Sequence, residues 1–467
     1  MTNPVAPRPA SPGPAKDPAV VWGRLLILLA AVTLALAFAG ANHLYGTSLR
    51  DDYSLDEEEL ARGTAGGDTL RRAGFLLLAG CGTLGALFGK AGRWRAPLLS
   101  PTGGGLTGVA LIAMFAWWAA SISWSDDPPL TARRIVVVGL FLLGAGGLAK
   151  ALTGRQLVIA AVGAVSLHLF AGIAVEAALG TFVPWRADYR FSGTIHPNIQ
   201  ALQLATGLCG CVTLSGIFRT ERRLDARVNV WWLLWGAVLL GFLVLTKSRT
   251  ATAGAALAVS ATGLTAASPA TKLLSLAGGV AGATGVLVAI LLAGVDPTED
   301  VRDAALMGRT EQHSSLSGRL PIWEAIIPYI AEKPWLGHGY GAFWSRQRVD
   351  AISDDVGWPL SASHSGWIES AAEIGLIGAS LMAALLLCGT FRAAAAIRDP
   401  VRPGDPLPAF ALALTLLMIA NAFTEALIHD VRLVPCLLWA SLAKLTVLSD
   451  LPRASRAVAA SPDRSLR

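Results

Sequence analysis

Long apolar runs separated by short polar connectors dominate the chain, and the runs do not alternate internally between apolar and polar positions. Soluble helices and strands keep one polar face, whereas an uninterrupted apolar stretch of about twenty residues is what a helix needs to cross the hydrocarbon core of a bilayer. The pattern predicts spanning helices at residues 20–41, 73–89, 104–123, 135–149, 156–178, 199–218, 230–246, 251–267, 273–294, 366–391, 408–428 and 431–449. The runs 230–246 and 251–267 are separated only by KSRT, so they form either a tight helical hairpin or one bent, broken segment. Between the ninth and tenth runs lies a long segment with Ile322, Trp323, Ile326, Ile327 and Ile330 at helical spacing. That stripe predicts an amphipathic helix at the membrane surface. Pro334, Gly337, Gly339 and Gly341 then predict a turn-rich stretch.

Composition sharpens this picture. Hydrophobic residues make up 53% and charged residues 15%, with a mean hydropathy of +0.53, while soluble domains carry about 25% charge. The fold class expected is an all-α polytopic membrane protein, a bundle of about twelve transmembrane helices with a large extracytoplasmic loop containing amphipathic helices. The net charge of +6 does not point to nucleic acid, because the basic residues sit in short clusters between apolar runs, where they set orientation. Lys90, Arg93, Arg95, Lys150, Arg155, the stretch RTERRLDAR at 219–227, Arg392, Arg398, Arg402 and the C-terminal arginines fall on one side; acidic DDYSLDEEE at 51–59 and SDD at 125–127 fall on the other. Both termini are therefore expected in the cytoplasm. The chain divides into a disordered cytoplasmic tail (1–19), nine transmembrane helices (20–294), the large loop (295–365), three more helices (366–449) and a basic cytoplasmic tail (450–467). The first run reads as a retained span, since no small-residue cleavage site follows it.

A few basic residues break the topological pattern. Arg186, Arg190, Lys247, Arg249, Arg319 and Arg432 sit at the outer ends of spans, where such residues serve as interfacial anchors, partners of an internal acid, or parts of a site. Four stretches gather the candidate chemistry on that face: RADYRFSGTIHPN at 186–198, TKSRTA at 246–251, SGRLPIW at 317–323 and SASHSGWIESAAEIGLIG at 361–378. The arginine fork suits phosphate oxygens. Histidine, with an ordinary pKa near 6.5, is a base suited to neutral pH. His364, just before a span, is either an interfacial polar residue or part of a site, and His196, in HPN, either caps the next helix or takes part in it. His338 reads as structural in its glycine-rich turn, and His168, on an apolar helix, as a core residue with its hydrogen bonds met. Glu369 and Glu373, one turn apart, are placed to orient the histidine or pair with an arginine; Glu425 and His429 form a second such pair. The five cysteines lie inside apolar runs without metal spacing. No Walker A, DxD or HExxH pattern and no Rossmann fingerprint in a strand–turn–helix setting is present, and the acidic stretch at 51–59 reads as a solvated face. Neither a metal nor a cofactor is expected.

Five motifs in order, ISWSDDPPLTARR, FSGTIHPNIQALQLA, KSRTATAGA, GRLPIWEAIIPYIAEKPWLGHGYGAF and HSGWIESAAEIGLIG, cover roughly residues 100–430. Together they resemble the O-antigen ligase-like family of bacterial membrane proteins, which also holds O-antigen polymerases and protein O-oligosaccharyltransferases. The resemblance implies a metal-independent transferase in the bacterial plasma membrane, acting on its outer face, and a single displacement there would invert the anomeric centre. Its donor would be a polyprenyl-pyrophosphate-linked glycan and its acceptor a hydroxyl of a glycan, lipid or protein. By motif, His364 is the implied base. Arg190 and Arg249 are the implied pyrophosphate ligands, with Arg319 as a third; Lys247, Arg186, His196 and Glu369 are further substrate-site candidates by their place on the same face. Many members have asparagine after the histidine, where this chain has Ser365. Two other functions fit the same residues: a polymerase whose acceptor is another lipid-linked unit, and a transporter of anionic polysaccharide or lipid without covalent chemistry.

Overall fold

The structure is a computed structural model and describes residues 18–42, 69–90, 92–94, 104–217, 229–269, 271–272, 319–399, 404–426, 428, 430–446 and 448–450. The expected span 273–294, the acidic stretch 51–59, the basic stretch 219–227, both terminal tails, His429 and the first part of the 295–365 loop lie outside the described residues. The helices are α1 (Pro18–Asn42), α2 (Thr69–Phe88), α3 (Gly104–Ala120), α4 (Pro128–Ala151), α5 (Gly154–Ala178), α6 (Pro197–Ser215), α7 (Val230–Leu245) and α8 (Arg249–Ala266). After the undescribed stretch come α9 (Arg319–Glu332), α10 (Arg346–Val356), α11 (Gly366–Ile397), α12 (Leu407–Ala422) and α13 (Leu433–Thr446). The all-α expectation needs one addition. Gly92–Trp94 and Leu448–Asp450 pair as a short antiparallel ribbon, which period-based reading misses because three residues carry no period.

Five of the described helices are long and apolar enough to cross a membrane: those within Val21–Ala39, Gly105–Ser123, Pro128–Ala151, Gly154–Ala178 and Gly366–Ile397. Three shorter apolar helices, Val230–Leu245, Leu407–Ala422 and Leu433–Thr446, accompany them. Helices α6, α12 and α13 are buried on nearly every side and form the centre. Around them α1, α2, α3 and α7 turn leucine, isoleucine, tryptophan and phenylalanine side chains outward. A water-facing surface would not carry that contiguous apolar belt, and lipid accounts for it. Close approach depends on small residues: α2 lies so near α4 that a β-carbon at Gly147 would sit 1.9 Å from the Gly82 carbonyl oxygen.

KSRT is not a tight hairpin. Helix α7 packs mainly on α6, whereas α8 packs on α12, so the turn separates two helices with different neighbours. At the opposite end of the bundle, basic side chains satisfy carbonyls that helix C-termini leave over. Lys444 Nζ donates to the Ala149 carbonyl of α4 at 3.0 Å, and Lys150 donates to Ala86 of α2. Arg392 reaches Leu445 of α13 at 3.0–3.1 Å, and Arg398 reaches Thr265 of α8 at 3.0–3.3 Å. Each cation also meets the negative end of a helix dipole.

The segment 319–365 forms a small core of its own. Ile322 and Ile326 of α9 are buried against Phe343, Trp344, Val349, Ile352, Leu360 and Ala372, while Ile327 is 53% exposed. The apolar stripe therefore packs on α10 and the start of α11. This unit is joined to the bundle through a break in α11 at Gly375 (φ 69°, ψ 178°). Groups released there find partners in the 334–339 turn and in α3. His338 and Gly339 donate to the Ala372 and Glu373 carbonyls at 3.0 and 2.8 Å, Leu376 N donates to Pro334 O at 2.8 Å, and Trp117 Nε1 donates to Ile374 O at 3.0 Å. A β-carbon at Gly375 would lie 2.2 Å from the Trp335 carbonyl oxygen. Gly375→Ala thus combines a left-handed backbone with a clash, and we expect it to destabilise the protein by about 2–4 kcal/mol. Thermal unfolding of purified protein in detergent checks this, and an unchanged midpoint would contradict the docking.

Candidate functional site

The end of the bundle that carries 319–365 also holds the starts of α6, α8, α11 and α13. One carboxylate joins these parts. Glu425 lies three residues past the end of α12 and is 7% exposed. Its Oε1 accepts from Asn198 Nδ2 at 2.6 Å and from the Arg319 guanidinium at 3.0 Å, and its Oε2 lies 3.9 Å from His364 Nδ1. Asn198 in turn accepts from Arg190 at 2.6 Å, and Arg190 Nε donates to the Thr246 carbonyl at 2.8 Å. Burial pushes the Glu425 carboxyl up, but His364, Arg319 and His196 outweigh it and hold it below the usual carboxylate range. Glu425 is an ionised hub.

Each cation is held by its own local structure. Glu176, near the end of α5, accepts from the Tyr189 hydroxyl at 2.5 Å, Ser192 N at 3.0 Å and Gly193 N at 2.7 Å. Those bonds bracket Arg190 on both sides. Burial and the Glu176 carboxylate push the Tyr189 phenol up, so it remains a donor. Phe191 N donates to Leu245 O at 2.9 Å and ties the same loop to α7. Arg249 opens α8 behind the Ser248 cap, and Thr250 beside it accepts from Thr424 Oγ1 at 2.9 Å, next to Glu425. Arg319 opens α9. Two arginines therefore occupy first turns, where the helix dipole disfavours a cation and favours an anion.

His364 sits on a strained turn. Among the described residues, Lys247 and His364 are the non-glycine residues with positive φ, at 52° and 51°, and such backbone persists only where neighbours over-determine it. Glu369 supplies part of that constraint, accepting from Ser363 N at 2.8 Å and from the Trp344 indole. Trp323 Nε1 donates to the Ser363 carbonyl at 2.9 Å. Ser365 caps α11, accepting from Ile368 N and donating to the Ala422 carbonyl, both at 3.4 Å. Serine and asparagine are comparable caps, which gives Ser365 a structural role beside the histidine.

The structure thus brings Arg190, His196, Arg319 and His364 around Glu425, with Arg249 on the adjoining helix start. His196 caps α6 by accepting from Asn198 N at 3.2 Å. Glu369 acts one step back, on the backbone before His364. Lys247 donates to the Ala187 carbonyl at 2.5 Å, and Arg186 is exposed and paired with Asp188 at 2.8 Å. Neither is drawn to Glu425 by those contacts. His168 is buried with both ring nitrogens bonded, to Gln203 at 2.8 Å and the Ala35 carbonyl at 2.9 Å. Asn198 and Glu176 were not singled out from the sequence. Glu176 could have been, as an acid inside an apolar run; Asn198 stands in the HPN motif but carries no charge to mark it. Among the described residues, no group of three or more histidine, cysteine or acidic side chains could hold a metal ion.

A second ionic cluster fixes the outlying unit. Asp126, just before α4, meets Lys333, His338 Nδ1 at 2.7 Å and Arg348 at 2.6 Å, while His338 Nε2 faces the Tyr329 carbonyl at 2.9 Å. His338 is structural here, with its side chain 1% exposed.

These features define a class: a helical membrane protein with arginines and a histidine gathered around a buried carboxylate at one end. The comparisons narrow it. Residues 234–383 match the O-antigen ligase family model, an interval containing Arg249, Arg319, His364 and Glu369. Over 238 residues the chain is 28% identical to the exopolysaccharide production protein ExoQ of Rhizobium meliloti (strain 1021), covering 48% of this chain and 51% of that protein. The chain thus matches about half the length of that relative. Both findings bear out the resemblance to the O-antigen ligase-like family.

Burial pushes the Asp126 carboxyl up, but hydrogen bonds from Lys333, Arg348 and His338 hold it well below its ordinary value of 3.8. Its contribution to stability is complete above that value and is lost as the pH falls below it towards the folded-state pKa. Asp126→Asn is expected to cost about 2 kcal/mol near neutral pH and to flatten the acid limb of the unfolding profile. An acid limb identical to that of the wild type would contradict this assignment.

Proposed function

We propose that this protein is a glycosyltransferase of the bacterial plasma membrane, moving a polyprenyl-diphosphate-linked glycan to an acceptor hydroxyl on the outer face. The reading includes about twelve crossing helices and cytoplasmic termini, which place the Glu425 end outside. The observation that carries it is the contact chain from Arg190 through Asn198 to Glu425, and from Glu425 to both Arg319 and His364. It sets a base beside cations suited to a diphosphate. Charge-assisted donors at helix starts stabilise the negative charge that develops as the diphosphate leaves.

In the proposed step the acceptor oxygen attacks the anomeric carbon and the bond from that carbon to the diphosphate oxygen breaks. His364 takes the hydroxyl proton, and Glu425 stabilises the resulting imidazolium as a carboxylate partner does in other histidine-based sites. The electron pair of the broken bond leaves with the diphosphate, held by Arg190, Arg249 and Arg319. Lys247, Arg186 and His196 contribute positive or polar surface at the margin, and Glu369 fixes the turn under the base. No metal or cofactor enters the scheme. A single displacement inverts the anomeric centre, so a product retaining the donor's configuration would exclude it.

The first form of the proposal is a ligase, which moves a finished glycan to a terminal acceptor. The polymerase form has a specific observation in its favour, because the relative from Rhizobium meliloti is named for exopolysaccharide production. A transporter accounts less well for a histidine placed against a buried carboxylate. The test is a gel profile of surface and lipid-linked glycans in a deletion strain complemented with wild type, His364→Ala or Glu425→Gln. Loss of the base is expected to slow transfer at least about 100-fold, with protein still present in the membrane. Long chains accumulating on the carrier indicate the ligase form, and single units the polymerase form. Glycans unchanged in the deletion would remove the transferase reading.

A further inference from the structure

The same end of the bundle holds another group of arginines that the proposed reaction does not use. Arg71 stands at the start of α2, Arg134 in the second turn of α4, and Arg432 immediately before α13. All three are partly exposed; Arg71 and Arg134 lie by Tyr340, whose side chain is buried, and Arg432 lies by Arg71. Arg71 lies within electrostatic reach of Arg432, Asp430, Arg134 and Tyr340, and Tyr340 within reach of Glu373, Asp430, Arg134 and Arg71. Contacts fix the arrangement. Arg432 Nε donates to Asp430 at 2.7 Å, and the Arg71 guanidinium lies 5.9 Å from the Phe75 ring. A β-carbon on Gly341 would fall 2.2 Å from Arg134 Cδ and 2.7 Å from its terminal nitrogen, so the arginine lies directly on that glycine. The Tyr340 ring stacks on Trp118 at 4.5 Å, and its carbonyl accepts from Thr131 at 3.1 Å.

Among the described residues, Asp430 and Glu373 lie within the same electrostatic reach. Guanidiniums brought to one place repel each other, and a bound phosphate offsets that repulsion. The two clusters also share their supports. Glu369 and Glu373 are one turn apart at the start of α11, the first serving the His364 turn and the second facing Tyr340. Glu425 and Asp430 are five residues apart, which limits their separation to about 18 Å. A substrate whose phosphate occupied one cluster could reach the other with its attached sugar.

We propose that Arg71, Arg134 and Arg432 form a second phosphate-binding site, which holds a phosphate group of the acceptor while Arg190, Arg249 and Arg319 hold the donor diphosphate. The inference rests on the transferase reading for its division between donor and acceptor. It makes the acceptor anionic: the diphosphate of a second carrier-linked glycan, or a phosphate substituent on an acceptor of another kind.

The test is calorimetric titration of the full-length protein in lipid nanodiscs with inorganic pyrophosphate. Wild type is expected to bind two equivalents. Arg249→Gln should remove one, and Arg71→Gln with Arg134→Gln the other. Should the glutamine pair fail to fold, the lysine pair R71K/R134K keeps the charge but loses the fork, and should weaken the second equivalent about tenfold. Displacement of that equivalent by inorganic phosphate alone supports a phosphorylated acceptor without a carrier diphosphate; resistance to phosphate supports a carrier-linked one. A single equivalent, lost in Arg249→Gln and untouched in both Arg71/Arg134 pairs, would overturn the second site and leave the transferase reading standing. Two equivalents that both survive Arg249→Gln, one of them lost in the Arg71/Arg134 pair, would support the second site and count against the donor site.

Discussion

A carboxylate taken out of water must be paired or it takes up a proton, and Glu425 is deeply buried at the end of a membrane helix. Its pairing organises much of this face of the molecule. Asn198 from α6, Arg319 from α9 and His364 from the turn before α11 all converge on its two oxygens. These segments are far apart in the chain, and the shared carboxylate sets where each one stops. The same atom pair joins the cations to the base, so the electrostatic requirement that fixes the architecture also sets up the chemistry proposed for it.

Buried acids recur as organisers. Glu176 holds the backbone on both sides of Arg190, and Glu369 holds the peptide before His364. Both supply the placement of a side chain used in the proposed step. The break at Gly375 works alongside them. It frees backbone groups in α11 that the 334–339 turn then satisfies, so a non-helical segment is admitted only where protein covers it, as lipid requires. At the far end of the bundle, Lys150, Arg392 and Arg398, expected to set topology, also have local tasks, each closing the last turn of a neighbouring helix as Lys444 does beside them.

The helices were legible because apolar length is a strong signal, and among the described residues each expected span contains a helix. The boundaries were less legible. The run 408–428 ends as a helix at Ala422, because apolar residues continue past the point where Glu425 must turn toward its partners. The run at 135–149 begins instead at Pro128, where Asp127 caps the helix by accepting from Leu130 N. Arg190, Arg249, Arg319 and His364 stood out as charges or bases where topology gave no reason for them. Asn198 did not, since an uncharged amide has no such cost, and Glu425 stood out only as half of a pair with His429. The fate of KSRT was also open, because the sequence does not state which neighbours α7 and α8 choose.

The central claim is that His364 and Glu425 act as one unit. A double-mutant cycle on the rate of glycan transfer, measured under single-turnover conditions with His364→Ala, Glu425→Gln and the combined variant, tests it directly. The account predicts that Glu425→Gln slows transfer in the wild-type background but costs almost nothing further once His364 is gone. An equal factor in both backgrounds would contradict it, leaving Glu425 as a structural anchor and His364 as a base without a partner.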